Sequence, residues 1–324
     1  MSKPRVLVTR PVPEKGLERL RAVCDVHVYQ SKLPPSRDVL LREIADCEGI
    51  LSLLTDPIDA EVMSAAPRLK VISNMAVGYD NVDVKAATER KIPVGHTPGV
   101  LTETSADLAF ALLMAAARRL GEGERYVKSG QWVTWSPQLL LGYDIYGATL
   151  GIVGFGRIGQ AVARRARGFG MQILYHGGSN QQTAQALGAQ ERTLDQLLAE
   201  SDFISLHVPF KNATHHLIGE RELHLMKRTA ILINTARGPV VDPHALYEAL
   251  SSGVIAYAAL DVTEPEPIHM DDPLLTLDNC LIVPHIGSST VATREKMASI
   301  AAANLIAGLQ GEKLPHCVNP QVYD

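Results

Sequence analysis

The sequence predicts an α/β protein made of two domains, each a parallel sheet flanked by helices. Three observations carry that prediction. Short apolar runs alternate with longer amphipathic segments, the order that βαβ units impose. At 324 residues the chain exceeds one typical compact core. A glycine-rich turn, GFGRIG at 154–159, stands between an apolar run and a helix-like stretch and opens a second βαβ series.

In the first third the candidate strands are RVLVT (5–9), GILSLL (49–54), VISNM (71–75) and IPVGH (92–96). Helix-like segments run from Glu14 to Val23, Arg37 to Asp46, Asp59 to Ala66 and Asp83 to Arg90. The stretch ETSADLAFALLMAAARR (103–119) is the most apolar helix of the chain, which predicts burial between layers or against a partner. The region Thr102 to Ser105 offers N-cap chemistry, and Arg118 and Arg119 suit a helix C-terminus. After Gly147 the strands are TLGIVG (149–154), QILYH (172–176), DFISLHV (202–208), AILINT (230–235), IAYAALDV (255–262) and CLIVPH (280–285). A long Ala-rich helix follows from Ser288 to Leu309, then a polar tail with two prolines. The final helix is placed back on the first βαβ set, so that domain is expected to be discontinuous.

Composition narrows the function classes. Hydrophobic residues make up 46% of the chain, charged residues 20%, and the net charge is −4. This gives no footing for nucleic acid or an anionic membrane surface. No apolar run reaches the ~18 residues that span a bilayer, and the N-terminal MSKPRVLVTR reads as a strand rather than a signal peptide. The cysteines Cys24, Cys47, Cys280 and Cys317 form no CxxC pair and read as reduced thiols. The default reading is a cytoplasmic enzyme.

The glycine turn predicts a dinucleotide site. Gly154 makes the turn off the strand, Gly156 lets backbone approach a pyrophosphate, and Gly159 lets the helix pack close to the sheet. The phosphates then meet the free N–H groups at the helix N-terminus. Such units place an acid at the end of the next strand to hold the ribose 2′-hydroxyl. Here that strand ends in His176, Gly177, Gly178, Ser179 and Asn180, with no acid to repel a 2′-phosphate. The loop also lacks the Arg that would clamp one. NADP(H) is therefore favoured, with NAD(H) admitted.

Charged groups stand at the C-terminal ends of predicted strands, where open α/β sheets bind ligands. Arg237 follows AILINTA, Asp261 ends IAYAAL, Glu266 lies in EPEP, and His285 ends CLIVP. Reduction of a 2-oxo acid needs a cation for its carboxylate, which Arg237 offers. It also needs a proton donor near neutral pH, which His285 offers with Glu266 to favour its charged form. Asp261 would support Arg237 or position the nicotinamide. His207, His215, His216, His224, His244, His269 and His316 show no ligand spacing such as H-E-x-x-H, so no metal is expected. Arg164, Arg165 and Arg167 read as a solvated helix face.

Taken together, the motifs resemble the D-isomer-specific 2-hydroxyacid dehydrogenases over essentially the whole length. The marks are VGYDNVD (77–83), TSADLAFALLM (104–114), LGIVGFGRIGQ (150–160), INTARGPVVD (233–242), ALDVTEPEP (259–267) and PHIGSST (284–290). The stretches 132–147 and 272–288 look most like the glyoxylate/hydroxypyruvate reductase branch. The resemblance implies two Rossmann-like domains with the active site in the interdomain cleft. Residues 1–99 with 288–324 would form the substrate-binding domain, and 100–287 the dinucleotide-binding domain. Arg237 would bind substrate, and Glu266 with His285 would form the acid–base pair. The backbone at Val77 and Gly78 would hold the substrate carboxylate, with Leu53 lining the pocket. Cofactor contacts would come from Thr104, Gly156, Arg157, Ile158, Gly159, Val208, Pro209, Thr214, Thr235, Ala236, Asp261 and Gly287. Segment 100–147 would build a homodimer interface, with Trp135 reaching toward the neighbouring substrate pocket and Trp132 packing beside it. NADPH-using relatives often carry an Arg where this chain has Gly178, and that departure weighs on the cofactor preference. The substrates implied are small 2-oxo acids, glyoxylate and hydroxypyruvate first. A 2-ketogluconate or broad 2-oxo acid reductase is the alternative, and a nucleotide-sensing corepressor the distant one.

Overall fold

The computed structural model describes residues 3–178 and 181–324. The chain divides into two units, Met1–Leu101 with Ser289–Asp324, and Thr102–Ser288.

In the first unit the elements run β1 (Arg5–Val8), α1 (Glu14–Val23), β2 (Asp25–Val28), α2 (Arg37–Ile44), β3 (Gly49–Ser52), α3 (Ala60–Ala65), β4 (Val71–Asn74), α4 (Val84–Glu89) and β5 (Val94–Gly95). The strands form one parallel sheet in the order β2-β1-β3-β4-β5. Strands β3 and β4 are buried throughout, which is why they read as apolar runs without alternation. Asp59 and Asp83, expected inside their helices, are the N-caps: Asp59 accepts from the N–H groups of Glu61 and Val62, and Asp83 from that of Ala86. Strand β2 escapes the sequence reading. It is a partly exposed edge strand, DVHV, with little apolar signal.

The second unit runs α5 (Thr102–Ala117), α6 (Leu120–Lys128), β6 (Thr149–Val153), α7 (Arg157–Gly168), β7 (Gln172–His176), α8 (Gln181–Leu187), β8 (Gln190–Glu191), α9 (Leu194–Glu200), β9 (Phe203–Leu206), α10 (Glu220–Leu225), β10 (Ile231–Asn234), α11 (Pro243–Ser251), β11 (Tyr257–Leu260) and β12 (Cys280–Ile282). Its seven parallel strands are ordered β12-β11-β10-β9-β6-β7-β8, so the winding reverses between β6 and β9. Helix α5 packs on β10, β11 and α7, with Ala106, Ala109, Phe110, Leu113 and Ala116 buried. That burial explains its apolar composition.

Two local readings change. Helix α5 stops at Ala117, and Arg119 takes a left-handed conformation (φ 51°) that breaks the chain before α6. Its guanidinium pairs with Glu122 at 2.5 Å, so it serves α6 rather than the α5 C-terminus. Arg164 and Arg165 are not a simple solvated face. Arg164 meets Glu103 at 2.5 Å, and Arg165 meets Glu103 at 3.0 Å and Asp107 at 2.5 Å, which ties α7 to α5.

The chain ends in α12 (Val291–Leu309), capped by Thr290 and packed on α1, β3 and β4 of the first unit. The tail is anchored by fully buried Asn319. Its Oδ1 accepts from Val94 N at 2.8 Å, and its Nδ2 donates to Ile92 O and to Thr88 Oγ1, each at 3.0 Å. All four cysteines are free thiols. Among the described residues, no helix is long and apolar enough to cross a membrane.

Asn319→Ala leaves the Val94 N–H and the Ile92 carbonyl without partners inside the protein. A buried group left unpaired costs about 1–3 kcal/mol. The variant should unfold at a lower denaturant concentration than wild type. An unchanged midpoint would show that water replaces the lost amide.

Candidate active site

The glycine turn lies at the reversal of strand order. Gly154 leaves β6 with φ 98°, and a Cβ there would stand 2.7 Å from the His207 carbonyl, just past β9. Only glycine combines that backbone with that approach. A Cβ at Gly159 would overlap the Gly154 carbonyl oxygen, so α7 starts hard against the turn. Gly156, the N-cap of α7, has nothing within 4 Å of its Cβ position. Exposed Arg157 and half-buried Ile158 follow it, Ile158 packing on the core. Open space beside the first N–H groups of a helix suits a phosphate group.

Other candidate cofactor residues surround the ends of β9, β10 and β12. Half-buried Val208 packs on the core below exposed Pro209. The Thr214 hydroxyl donates to Pro209 O and accepts from Lys211 N, both at 2.8 Å, which closes that loop. Thr235 Oγ1 is buried and makes no hydrogen bond among the described residues. A buried hydroxyl of this kind fits a ligand with a polar group. The Cβ position of Gly287 lies 3.7 Å from Ser105 Oγ, which puts Gly287 beside the first turn of α5, where Thr104 also sits. These residues fit a dinucleotide.

At the end of β7, His176 Nδ1 lies 3.0 Å from the Arg192 carbonyl oxygen, and His176 O accepts from Gly154 N at 2.8 Å. Gly178 has φ 107°, and a Cβ there would press on the Phe155 carbonyl at 3.1 Å. A side chain at 178 would require this backbone or the Phe155 carbonyl to shift. Ser179 and Asn180, the end of the loop expected to face the ribose, lie outside the described residues. The fold instead brings up Arg192, which the loop search missed because it follows β8. Its N–H donates to Tyr175 O at 2.9 Å, and its guanidinium meets Glu200 Oε2 at 3.1 Å and Gln190 Oε1 at 2.9 Å.

The reactive set gathers after β10, β11 and β12. Buried Asn234, also missed by the sequence reading, shapes the turn that presents Arg237. Its Nδ2 donates to Arg237 O at 2.9 Å, and its Oδ1 accepts from Ala236 N at 3.0 Å. Gly238 permits contact with the next strand end, since a Cβ there would overlap the Thr263 carbonyl oxygen. His285 adopts φ 51°, rare for a residue with a side chain. It is held there because its N–H donates to Asp261 O at 2.9 Å, while the Asp261 carboxylate accepts from Ile286 N at 2.6 Å and Gly287 N at 2.8 Å. Asp261 is 2% exposed, and burial pushes its carboxyl above the usual aspartate range. The Ile286 N–H and the charge of His285 oppose that rise.

His285 Nδ1 lies 2.5 Å from Glu266 Oε1. An ionised carboxylate only accepts, so Nδ1 carries a proton and Nε2 is the ring nitrogen left for chemistry. The arrangement can deliver a proton from Nε2 while Glu266 balances the imidazolium charge.

In the first unit, Leu53, Val77 and Gly78 follow β3 and β4. Leu53 N donates to Asp56 Oδ2 at 2.7 Å, and Asn81 Nδ2 donates to Leu53 O at 3.0 Å and Asp56 O at 2.8 Å. Asn74 Nδ2 donates to Gly78 O at 3.1 Å, and His96 Nδ1 lies 3.0 Å from Val77 O. Both carbonyls of the turn are thus engaged. Among the described residues, the Val77 and Gly78 N–H groups make no backbone hydrogen bond. Two such donors suit a carboxylate. Trp135 is 76% exposed in a stretch without helix or strand that also exposes Trp132, Val133, Leu141 and Tyr146.

Residues 110–287 match the profile of the D-isomer specific 2-hydroxyacid dehydrogenase NAD-binding domain. The chain is 56% identical to a glyoxylate reductase of Korarchaeum cryptofilum, over 99% of this chain and 97% of that one. The structure of a glyoxylate reductase from Paecilomyes thermophila superposes with a TM-score of 0.86 at 34% identity, covering 99% of this chain and 100% of that one. An NADPH-dependent glyoxylate/hydroxypyruvate reductase from Sinorhizobium meliloti, in complex with NADP and malonate, gives a TM-score of 0.87 at 33% identity, covering 98% of each chain.

The wall behind the glycine turn limits stability in acid. His207 is half-buried, its Nε2 lies 2.8 Å from Ser205 Oγ, and burial pushes its imidazole down to about 4. The unfolded chain therefore binds a proton more readily than the native one. The stability that neutral His207 contributes is complete above about pH 6.5 and is lost as pH falls toward 4, about 3 kcal/mol in all. Denaturant titrations at pH 7 and pH 4.5 should show a smaller acid loss for His207→Gln than for wild type. Equal losses would mean that other groups set the acid limit.

Proposed function

Because the chain belongs to the D-isomer specific 2-hydroxyacid dehydrogenase family, we propose that it reduces small 2-oxo acids, glyoxylate to glycolate and hydroxypyruvate to D-glycerate. The observation that carries this reading is the 2.5 Å contact between His285 Nδ1 and Glu266. It sits in the same unit as Arg237 and the glycine turn. A proton donor, a cation and a nucleotide turn together are what carbonyl reduction needs.

Unit Thr102–Ser288 holds the dinucleotide through the turn at 154–159, Thr104, Val208, Pro209, Thr214, Thr235, Ala236 and Gly287. A nicotinamide held there would supply the hydride that the carbonyl carbon accepts. Arg237 grips the substrate carboxylate and polarises the carbonyl. His285 gives the proton on Nε2 to the carbonyl oxygen as negative charge develops there. Glu266 orients the ring through Nδ1. Asp261 positions His285 through the backbone of 285–287. Leu53, Val77 and Gly78 are the substrate contacts of the first unit.

NADPH is the preferred reductant in this reading, with NADH accepted. No acid stands at 176 to repel a 2′-phosphate, and Arg192 is the cation available beside it once it leaves Glu200. The exposed Trp132, Val133 and Trp135 form the face of a homodimer, since apolar clusters of this kind on a monomer mark contact surfaces.

Steady-state kinetics with glyoxylate and hydroxypyruvate, each with NADPH and NADH, tests the reading. His285→Ala should lower kcat by about 10²–10⁴-fold while cofactor affinity stays near wild type. An unchanged kcat would remove His285 as the proton donor. Arg192→Ala should lower the NADPH-to-NADH ratio of kcat/KM by about tenfold, the scale of one lost charge-assisted hydrogen bond. A ratio that does not move would place the 2′-phosphate away from Arg192.

A further inference from the structure

The sequence offers no metal-ligand spacing, but the fold brings one together. His215 and His216 follow β9, and Glu264 follows β11, 48 residues beyond His216. His216 Nε2 lies 2.8 Å from Glu264 Oε2, and His215 Nε2 lies 3.8 Å from Glu264 Oε1. One ligand atom from each residue falls within 4.8 Å of the others. We propose that His215, His216 and Glu264 form a binding site for a divalent transition-metal ion, zinc above all, separate from the His285–Glu266 pair.

Geometry supports it first. Ligands bound tetrahedrally at about 2.0–2.2 Å from zinc stand roughly 3.3–3.5 Å apart. The two imidazole-to-carboxylate separations bracket that value, and tilting the rings out of their near-parallel stack would aim both lone pairs at one ion. The backbone is already fixed. His216 N donates to Pro239 O at 2.8 Å, and the residue keeps a left-handed conformation at φ 48°. The site is half-open, with the His215 side chain 47% exposed, so an ion can enter.

Charge supports it next. The two imidazoles stack face to face, with centroids 3.9 Å apart and planes 21° from parallel. A divalent ion would answer the Glu264 carboxylate directly, with each ring as a neutral imidazole ligand. Asp242 stands on the other side of the ring: its Oδ1 is fixed by the N–H groups of His244 and Ala245, and its Oδ2 lies 3.7 Å from His216 Nδ1, beyond hydrogen-bond distance. Closing that gap would give the far ring nitrogen a carboxylate partner of the kind that orients a metal-bound histidine, with the Nε2 proton now shared with Glu264 released to the ion's solvent. Two imidazoles and one carboxylate select zinc over calcium or magnesium and leave a fourth position for water. A bound ion would tie the loop of Thr214 to the segment that carries Glu266.

The test uses the untagged full chain with ZnCl2, titrated calorimetrically after chelator treatment and dialysis, with CoCl2 as a spectroscopic probe. Wild type should bind one equivalent of zinc, and cobalt should give the intense visible absorption of a four-coordinate ion. His215→Ala and Glu264→Gln should each weaken zinc at least tenfold, with the metal-free melting temperature of each variant recorded to report folding. His285→Ala should keep the equivalent. The proposal fails if wild type binds no zinc, if cobalt shows only the weak spectrum of a six-coordinate ion, if His215→Ala keeps the equivalent, or if His285→Ala loses it.

Discussion

Both carboxylate oxygens of Asp261 are engaged by the N–H groups of Ile286 and Gly287, and its own carbonyl accepts from His285 N. These three bonds clip the chain after β12 onto the end of β11. They hold His285 in a left-handed conformation that a side chain disfavours, at a cost of about 1–3 kcal/mol. Burial of Asp261 is what makes the clip firm, because water is excluded from the amides it accepts. Glu266 can then meet His285 Nδ1, since both segments leave neighbouring strand ends.

The same logic of strand ends governs the rest of the second unit. Seven parallel strands carry their C-terminal ends to one edge, and the winding reverses between β6 and β9. At such a reversal the two adjacent loops part to opposite faces, which opens a crevice for ligand. Gly154 leaves β6 against the carbonyl of His207 beyond β9, so the nucleotide turn and the wall behind it are built from the two strands at the reversal. The first unit winds with its own reversal, between β1 and β3, and Leu53 follows β3 there.

Three histidines show how environment divides one side-chain chemistry. His207 is half-buried just past β9 beside the Ser205 hydroxyl, and burial lowers its imidazole. His285 has a carboxylate on Nδ1 and keeps Nε2 for a reacting group. His216 lies between two carboxylates and stacks on a second ring, and on that setting the proposed metal site rests. The separation comes from what each strand end meets.

The sequence by itself determined the elements whose signal is local. Buried strands announce themselves as apolar runs, the glycine turn requires residues without side chains at fixed offsets, and Arg237, Glu266 and His285 stand where strands end. Edge strands β2 and β8 gave no such signal, because one side faces solvent and polar residues suffice there. The tertiary structure alone decided what depends on residues far apart in the chain. Asn234, Asn74 and Asn81 act through backbone carbonyls and N–H groups that no spacing rule predicts. Arg192 reaches the end of β7 only because β8 pairs beside it, and Glu264 reaches the histidine pair only because β10 and β11 lie side by side. Local chemistry is written in consecutive residues. Which charges meet is fixed by strand order, and strand order exists only once the sheet has formed.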